Sequence, residues 1–325
     1  MTIPVLIDTD PGIDDALALL LAFHSPEWRV VALTIVAGNV PVDVGGRNAA
    51  RVLAAANPTD PPRIALGPPG PRVGPLVTAT HIHGDDGLGG LSALRDADGC
   101  PRFPEAAVAH HPGDAADLLV ECARRWPDEL VVVALGPLTN VAAAVDRDRE
   151  ALRRVRAVVA MGGSVAAGGN ATAAAEFNIF VDPEAAACVL AAGLPLVLVP
   201  LDVTQQVVWP AERIARLAGG PDRLSRFAHA VAERGLALAR AAGEAGIVMH
   251  DPLAVGVALD ASLVESAPLS VAVETAGTLT RGMTVVDRRP PAPGRRVEPN
   301  CRVVLRVEAA RFLALYEARV CGESA

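Results

Sequence analysis

Lysine is absent from this chain, so all 29 of its positive charges are arginines. The formal net charge is -8, and no basic run or stripe stands out. That excludes a nucleic-acid binder, whose phosphate contacts need clustered cations. Aromatic residues make up 3% of the chain, with a single tyrosine, Tyr316. The core must then be built from Ala, Val and Leu, and few rings are left to stack on a ligand. Five cysteines (Cys100, Cys122, Cys188, Cys301, Cys321) are scattered and show no CxxC spacing. This reads as the reduced thiols of a cytoplasmic protein, not as a disulfide framework or a zinc site. No apolar run is long enough for a bilayer: the longest, Val189 to Leu201, is short and broken by Gly193 and Pro195. Met1 to Asp10 carries no leader pattern. A cytoplasmic protein without membrane or nucleic-acid partners is expected.

What is present is a globular composition, 51% hydrophobic and 20% charged over 325 residues. Short apolar runs alternate with longer amphipathic ones. Strands are expected at Val5–Ile7, Arg29–Val36, Ile64–Leu66, Leu130–Leu135, Val155–Met161 and Leu196–Val199. Helices are expected at Asp14–Phe23, from an Asp43 cap to Ala56, and at Asp114–Trp126, Thr139–Val145 and Pro183–Ala192. Residues 211–260 read as mainly helical. Later strands are expected at Val271–Glu274, Thr284–Val286 and Arg302–Val307, before a last helix, Ala309–Val320. Such alternation, with nearly continuous apolar strands, predicts an α/β fold: an open, mostly parallel sheet flanked by helices. No linker divides the chain, so a single domain over 1–325 is expected. Two long Gly- and Pro-rich loops, Gly67–Pro104 and Gly162–Thr172, have the character of binding loops.

The most informative segment is Asp8-Thr9-Asp10-Pro11-Gly12-Ile13-Asp14-Asp15, which follows the first strand and opens the first helix. In open parallel sheets, ligands bind at the carboxyl ends of strands. Carboxylates this close repel one another unless a cation compensates them, and oxygen donors favour Ca²⁺ or Mg²⁺ over zinc. Asp14 and Asp15 alone could serve only the helix N-terminus; Asp8 and Asp10 are not explained that way. An EF-hand is excluded because Ile13 stands where its loop needs glycine. An Asp-x-Asp phosphotransferase also places two acids after the first strand, but its chemistry does not call for Pro11-Gly12 and the second acid pair.

The segment Asp8 to Ala16 resembles the signature of the inosine–uridine-preferring nucleoside hydrolase family. The likeness continues in order through Val36-Ala37-Gly38-Asn39-Val40, the His83 to Gly90 run, Ala134 to Asn140 and Met161-Gly162-Gly163. It extends through Ala175-Glu176-Phe177-Asn178-Ile179, Asp182 to Ala186, His250-Asp251-Pro252 and Arg281 to Asp287. These segments span nearly the whole length, which makes the resemblance specific.

The resemblance implies hydrolysis of the N-glycosidic bond of ribonucleosides. It assigns Asp10, Asp15, Asp251 and the Leu135 carbonyl to a calcium ion, whose remaining positions suit a water and the 2′ and 3′ hydroxyls of ribose. Asp10 would take a proton from the calcium-bound water, which attacks an anomeric carbon of oxocarbenium character. Asp14, Asn39, Asn170, Glu176 and Asn178 would grip the sugar, with Met161 and Phe177 beside them. His250 would protonate the departing base, and His83 would line the base pocket. An extended Glu176-Phe177-Asn178 segment is expected to put its two polar residues on one side.

At the base end the pattern thins. Phe227, His229 and Arg234 stand in the helical region before His250, and Trp209 could reach the pocket or pack in the core. A modified nucleoside or a nicotinamide riboside therefore remains an alternative substrate. A non-catalytic ribose- or nucleoside-binding protein is a further alternative, though one that would not need Asp10 or His250. The resemblance also implies a homodimer or homotetramer.

Overall fold

The computed structural model describes residues 2–218, 223–241, 243–290 and 297–321. The two ends of the expected 1–325 domain, and part of the expected helical stretch 211–260, lie outside the described residues. The strands, in chain order, are β1 (Ile3–Thr9), β2 (Trp28–Ile35), β3 (Arg63–Leu66), β4 (Val131–Ala134), β5 (Ala157–Met161) and β6 (Leu196–Val199). They continue with β7 (Val208–Pro210), β8 (Gly246–Val248), β9 (Val264–Val273), β10 (Thr284–Asp287) and β11 (Cys301–Val307). Nine of them form one sheet in the order β10-β9-β11-β6-β5-β4-β1-β2-β3. From β3 to β11 every pairing is parallel, and β9 and β10 extend the sheet in antiparallel fashion. The molecule is thus a single-domain α/β protein, as expected.

The central strands are buried on both faces, and β4, Val-Val-Val-Ala, has no exposed residue. This follows from helices packing on each side, which produce two apolar layers. The helix Ile13–Phe23 is buried nearly all round, so it is apolar on every face rather than along one stripe. Aromatic pairs reinforce the layer that contains it: Phe103 meets Phe227 edge-on at 5.3 Å, and Trp209 meets Tyr316 at 5.2 Å.

The sequence order reverses between β1 and β4. From β1 the chain winds outward to β2 and β3, then returns to place β4 on the other side of β1. Crossovers leave in opposite directions at this point, so a crevice opens at the carboxyl ends of these two strands. The loops carrying Asp10 and Leu135 emerge there.

Several boundaries differ from expectation. The second helix is Val42–Ala56, with Pro41 at its N-cap and Asp43 in its first turn. The helix from Thr139 runs on to Arg153, because it breaks at Asp148 and restarts where the Asp148 carboxylate accepts the Ala151 N–H at 3.0 Å. Strand β9 begins at Val264 despite Pro268. Its neighbour β10 pairs only with Ser270–Val273, so the proline lies where that side of the strand has no partner to lose. Within 211–260, β8 forms a small antiparallel ladder with β7. The long loop after β3 contains a short helix, Thr80–His83, and is knitted by Asp86, whose carboxylate accepts the N–H groups of Leu88, Gly90 and Ser92.

Candidate active site

A cavity of about 470 Å³ opens at the carboxyl ends of the parallel strands. Its wall contains Asp14, Asn39, His83, Leu135, Met161 and Asn170, and also Glu176, Phe177, Asn178, His250 and Asp251. All these positions, far apart in sequence, were expected at the site. Asp10 and Asp15 are not wall residues; they lie buried behind it, against Asp14 and Asp251.

Asp14, Asp15 and Asp251 each offer an oxygen, and these oxygens lie within 4.8 Å of one another. Asp15 stands in the first turn of its helix and is tied down from four directions. It accepts from Thr9 Oγ1 at 2.5 Å, the Asp10 N–H at 3.2 Å, the Gly12 N–H at 2.9 Å and Asn39 Nδ2 at 2.9 Å. Asp10 Oδ2 accepts the Asn39 N–H at 2.7 Å. Its carboxylate is sandwiched between two glycine backbones: a Cβ on Gly38 would overlap Oδ2, and one on Gly136 would overlap Oδ1. These glycines follow β2 and β4, and any larger residue there would expel Asp10 from its seat.

The electrostatics agree with the geometry. Burial, with Asp15 and Asp14 nearby, pushes Asp10 well above the usual carboxylate range. Burial and Asp15 raise Asp14 to about 7. Asp251 is driven up by burial and then by Asp14, Asp15 and Asp10. Asp10 Oδ1 and Asp14 Oδ1 are buried without a hydrogen-bond partner. Crowded, desolvated carboxylates with unfilled acceptor atoms fit a divalent cation that prefers oxygen. Asp8 is separate. It sits one turn of the pleat earlier, accepts from Thr34 Oγ1 at 2.6 Å and Asn140 Nδ2 at 2.8 Å, and is raised by burial to about 7.

The expected extended Glu176–Asn178 segment is instead the start of a short helix, Phe177–Val181, with Glu176 at its N-cap. The reason is local: the Glu176 carboxylate accepts the N–H groups of Asn178, Ile179 and Gly163 at 2.9, 3.1 and 2.9 Å, which folds the chain into a turn. Glu176 and Asn178 both still reach the cavity wall. Asn178 Nδ2 donates to the Leu135 carbonyl at 2.5 Å and to the Met161 carbonyl at 3.2 Å. Asn170 Oδ1 accepts the Phe177 N–H at 2.9 Å, tying the second long loop to this helix.

His83 Nδ1 accepts the Ile13 N–H at 3.1 Å. A backbone N–H can only donate, so the His83 proton is on Nε2. Burial holds the His83 pKa down to about 4, against the pull of Asp15. His250 is likewise lowered to about 4, by burial and then by His83, and its Nδ1 lies 2.7 Å from Thr204 Oγ1.

The rest of the wall includes Val77 and Ile82 from the first long loop and Leu238, Ile247 and Val248, together with Thr78, His81 and Glu244 from the same segments. Phe227, His229 and Arg234 are not in the wall; Gly235, Leu238 and Ala239 represent that helix instead. Position along the helix explains the case of Phe227: it shares a face with Leu238 but lies about three turns earlier, where that face meets the core and Phe103. Trp209 is fully buried and donates from Nε1 to Glu317 at 2.9 Å, so it belongs to the core. Supporting residues not singled out from sequence are Thr9, Gly38, Gly136, Thr204, Asp202 and Thr284. Asp202 accepts the Val165 and Ala166 N–H groups at 2.6 and 2.8 Å, and Thr284 Oγ1 accepts that of Ser164 at 2.8 Å; together they pin the second loop. The sequence did carry one signal for the two glycines, since each stands just past an apolar strand.

A cavity with an acidic floor, at the switch point of a parallel sheet, defines a class of α/β proteins that bind small polar ligands with a divalent cation. Comparison with known proteins narrows that class. The family model for inosine-uridine preferring nucleoside hydrolase matches residues 5–314, and the chain belongs to this family. It is 36% identical over 322 residues to the pyrimidine-specific ribonucleoside hydrolase RihA of Citrobacter koseri, covering 98% of each chain. An uncharacterized protein of Schizosaccharomyces pombe is 39% identical over 285 residues, 87% of this chain and 88% of that one. Among solved structures, the purine-preferring ribonucleoside hydrolase from Gardnerella vaginalis superposes with a TM-score of 0.87 at 28% identity, over 98% of both chains.

Proposed function

We propose that this chain, as one domain over 1–325, hydrolyses the N-glycosidic bond of ribonucleosides, releasing ribose and a free nucleobase. The observation that carries this is the meeting of Asp14, Asp251, Glu176 and Asn178 in one cavity wall, with the Asp10 and Asp15 carboxylates buried against Asp14 and Asp251 behind it. A vicinal diol is the ligand that such a floor suits, because its hydroxyls can satisfy both cation and carboxylates. Calcium, held by Asp10, Asp15, Asp251 and the Leu135 carbonyl, would supply the positive charge that acidifies a water and orders the ribose diol.

The chain's own groups do the rest. Asp10, with Oδ1 unpartnered, accepts the proton of the attacking water. Asp14 accepts from a ribose hydroxyl. Asn39, Asn170, Glu176 and Asn178 orient the sugar, with Met161 and Phe177 packed beside them, and hold the anomeric carbon in line for attack. His83 donates from Nε2 toward the base, and His250 assists its departure. Aliphatic side chains exclude water from the base end. The base itself is left open: RihA is named for pyrimidines and the Gardnerella vaginalis enzyme for purines. Among the described residues no helix is long and apolar enough to cross a membrane. The reading extends to a cytoplasmic homodimer or homotetramer.

A panel of purine, pyrimidine and nicotinamide ribosides, with free ribose as the readout, tests the proposal. Release of ribose from at least one of them, lowered about a thousandfold by Asp10→Asn, is the expected result. If none is cleaved while calcium and ribose still raise the unfolding temperature, the chain is a binding protein and the hydrolase reading falls.

A further inference from the structure

Thr204 follows β6 in a short helix, Leu201–Thr204, and is fully buried. It is not part of the cavity wall. Its hydroxyl oxygen lies 2.7 Å from His250 Nδ1, and His250 does line the cavity. Among the described residues Thr204 Oγ1 has no other side-chain or backbone hydrogen bond. A hydroxyl carries one proton and two acceptor sites, whereas a neutral imidazole carries its single proton on either nitrogen. Two arrangements are therefore open. If Nδ1 held a proton, whether the ring were neutral or charged, Thr204 would accept it and its own buried O–H would have no partner among the described residues. Leaving a buried donor unpaired costs about 1–3 kcal/mol. If Thr204 donates instead, both groups are satisfied and the imidazole proton moves to Nε2.

We propose that Thr204 is the positioning residue of His250: its hydroxyl donates to Nδ1, which fixes the ring as the Nε2–H tautomer and turns that N–H into the cavity as a donor to the departing base. Thr204 touches no substrate and acts only through the imidazole. The fixed ring then matches His83, whose Nδ1 is occupied by the Ile13 N–H in the same manner. Two imidazoles thus present Nε2–H groups to one cavity, each locked at Nδ1 by a donor on a different element. A base leaving as an anion gains from such donors, because charge develops on the base in the transition state. This inference rests on the hydrolase reading for its kinetic consequence but not for the tautomer itself.

The test compares leaving groups. A nucleobase needs help to depart, whereas 4-nitrophenolate leaves a β-D-ribofuranoside unaided. Thr204→Val keeps the shape and removes the hydroxyl. It is expected to lower kcat on the ribonucleosides cleaved by the natural chain by about 10–100-fold, less than the roughly 10²–10⁴-fold of a whole proton donor because the imidazole itself remains. Its kcat on 4-nitrophenyl riboside is expected to stay within about threefold, since that step needs no donor. Thr204→Ser, which restores the hydroxyl, is expected to recover most of the loss. Equal losses on both substrates would make Thr204 merely structural and overturn the proposal, as would no loss on nucleosides.

A second measurement needs no variant. Nitrogen-15 NMR of the natural protein is expected to show His250 Nδ1 unprotonated and Nε2 protonated, and the reverse would overturn the proposal. Failure of the natural chain to cleave any riboside would be a failure of the hydrolase reading, while the NMR result would still decide the tautomer.

Discussion

At the floor of the cavity Asp15 is held by four donors, Asp10 is wedged between Gly38 and Gly136, and Glu176 is capped by three N–H groups. At the mouth, Val77, Ile82 and Leu238 are 43%, 50% and 38% exposed, and their side chains carry no polar atom to hydrogen-bond. The floor is polar and built on strand ends; the mouth is carried by a loop and a helix face and mixes aliphatic side chains with exposed His81 and Glu244. Positions that must hold charge within a fraction of an ångström need a wired frame, whereas a base that need only be kept from water can be held by shape and apolar area. In the proposed reading the floor would recognise the sugar and the mouth the base.

The largest effect is expected from Asp10→Asn, about a thousandfold loss of kcat on every riboside, whatever its base. A loss that varied with the base would blur the division between floor and mouth. Next comes the substrate itself: 2′-deoxyribonucleosides are expected to fall about a hundredfold or more in kcat/KM, because a site built around a hydroxyl leaves polar groups unpaired without it. Leu238→Ala should do less, about tenfold in kcat/KM, and unequally between purine and pyrimidine ribosides. An equal effect on both would show that Leu238 does not touch the base.

The smallest effect concerns pH. Asp14 is raised to about 7, first by burial and then by Asp15. A carboxyl raised above its unfolded value stabilises the fold when protonated; that contribution is complete below its unfolded value, about pH 4, and is lost as pH rises through about 7. The metal-free protein is therefore expected to unfold at a lower temperature at pH 8 than at pH 5. Calcium competes with those protons, so its stabilisation, about 2–3 kcal/mol at a hundredfold excess over Kd, should be larger at pH 8. Differential scanning calorimetry at the two pH values checks the sign.

The same contrast explains what could be read from the sequence. The floor was legible because Asp10, Asp14 and Asp15 are packed into one short segment after an apolar strand, and strand ends are where sites are built. The alternating elements likewise gave the parallel sheet. The short helix at Phe177 was not legible, because its cause is a Glu176 carboxylate turning back onto N–H groups, one of them thirteen residues earlier at Gly163. The base end was less legible. Trp209 takes the core place that was one of its two expected ones, while Phe227 shares a helix face with Leu238 and is set apart only by lying about three turns nearer the core. Thr204 could not be found at all from sequence, since its partner His250 is forty-six residues away.

The division of the cavity is tested most directly by a crystal structure of the protein grown with calcium and ribose. The expected result is one cation bound by Asp10, Asp15, Asp251 and the Leu135 carbonyl, with the ribose 2′ and 3′ hydroxyls on it and the anomeric carbon facing the mouth. Ribose seated among Val77, Ile82 and Leu238, or a cation held away from the four carboxylates, would contradict it.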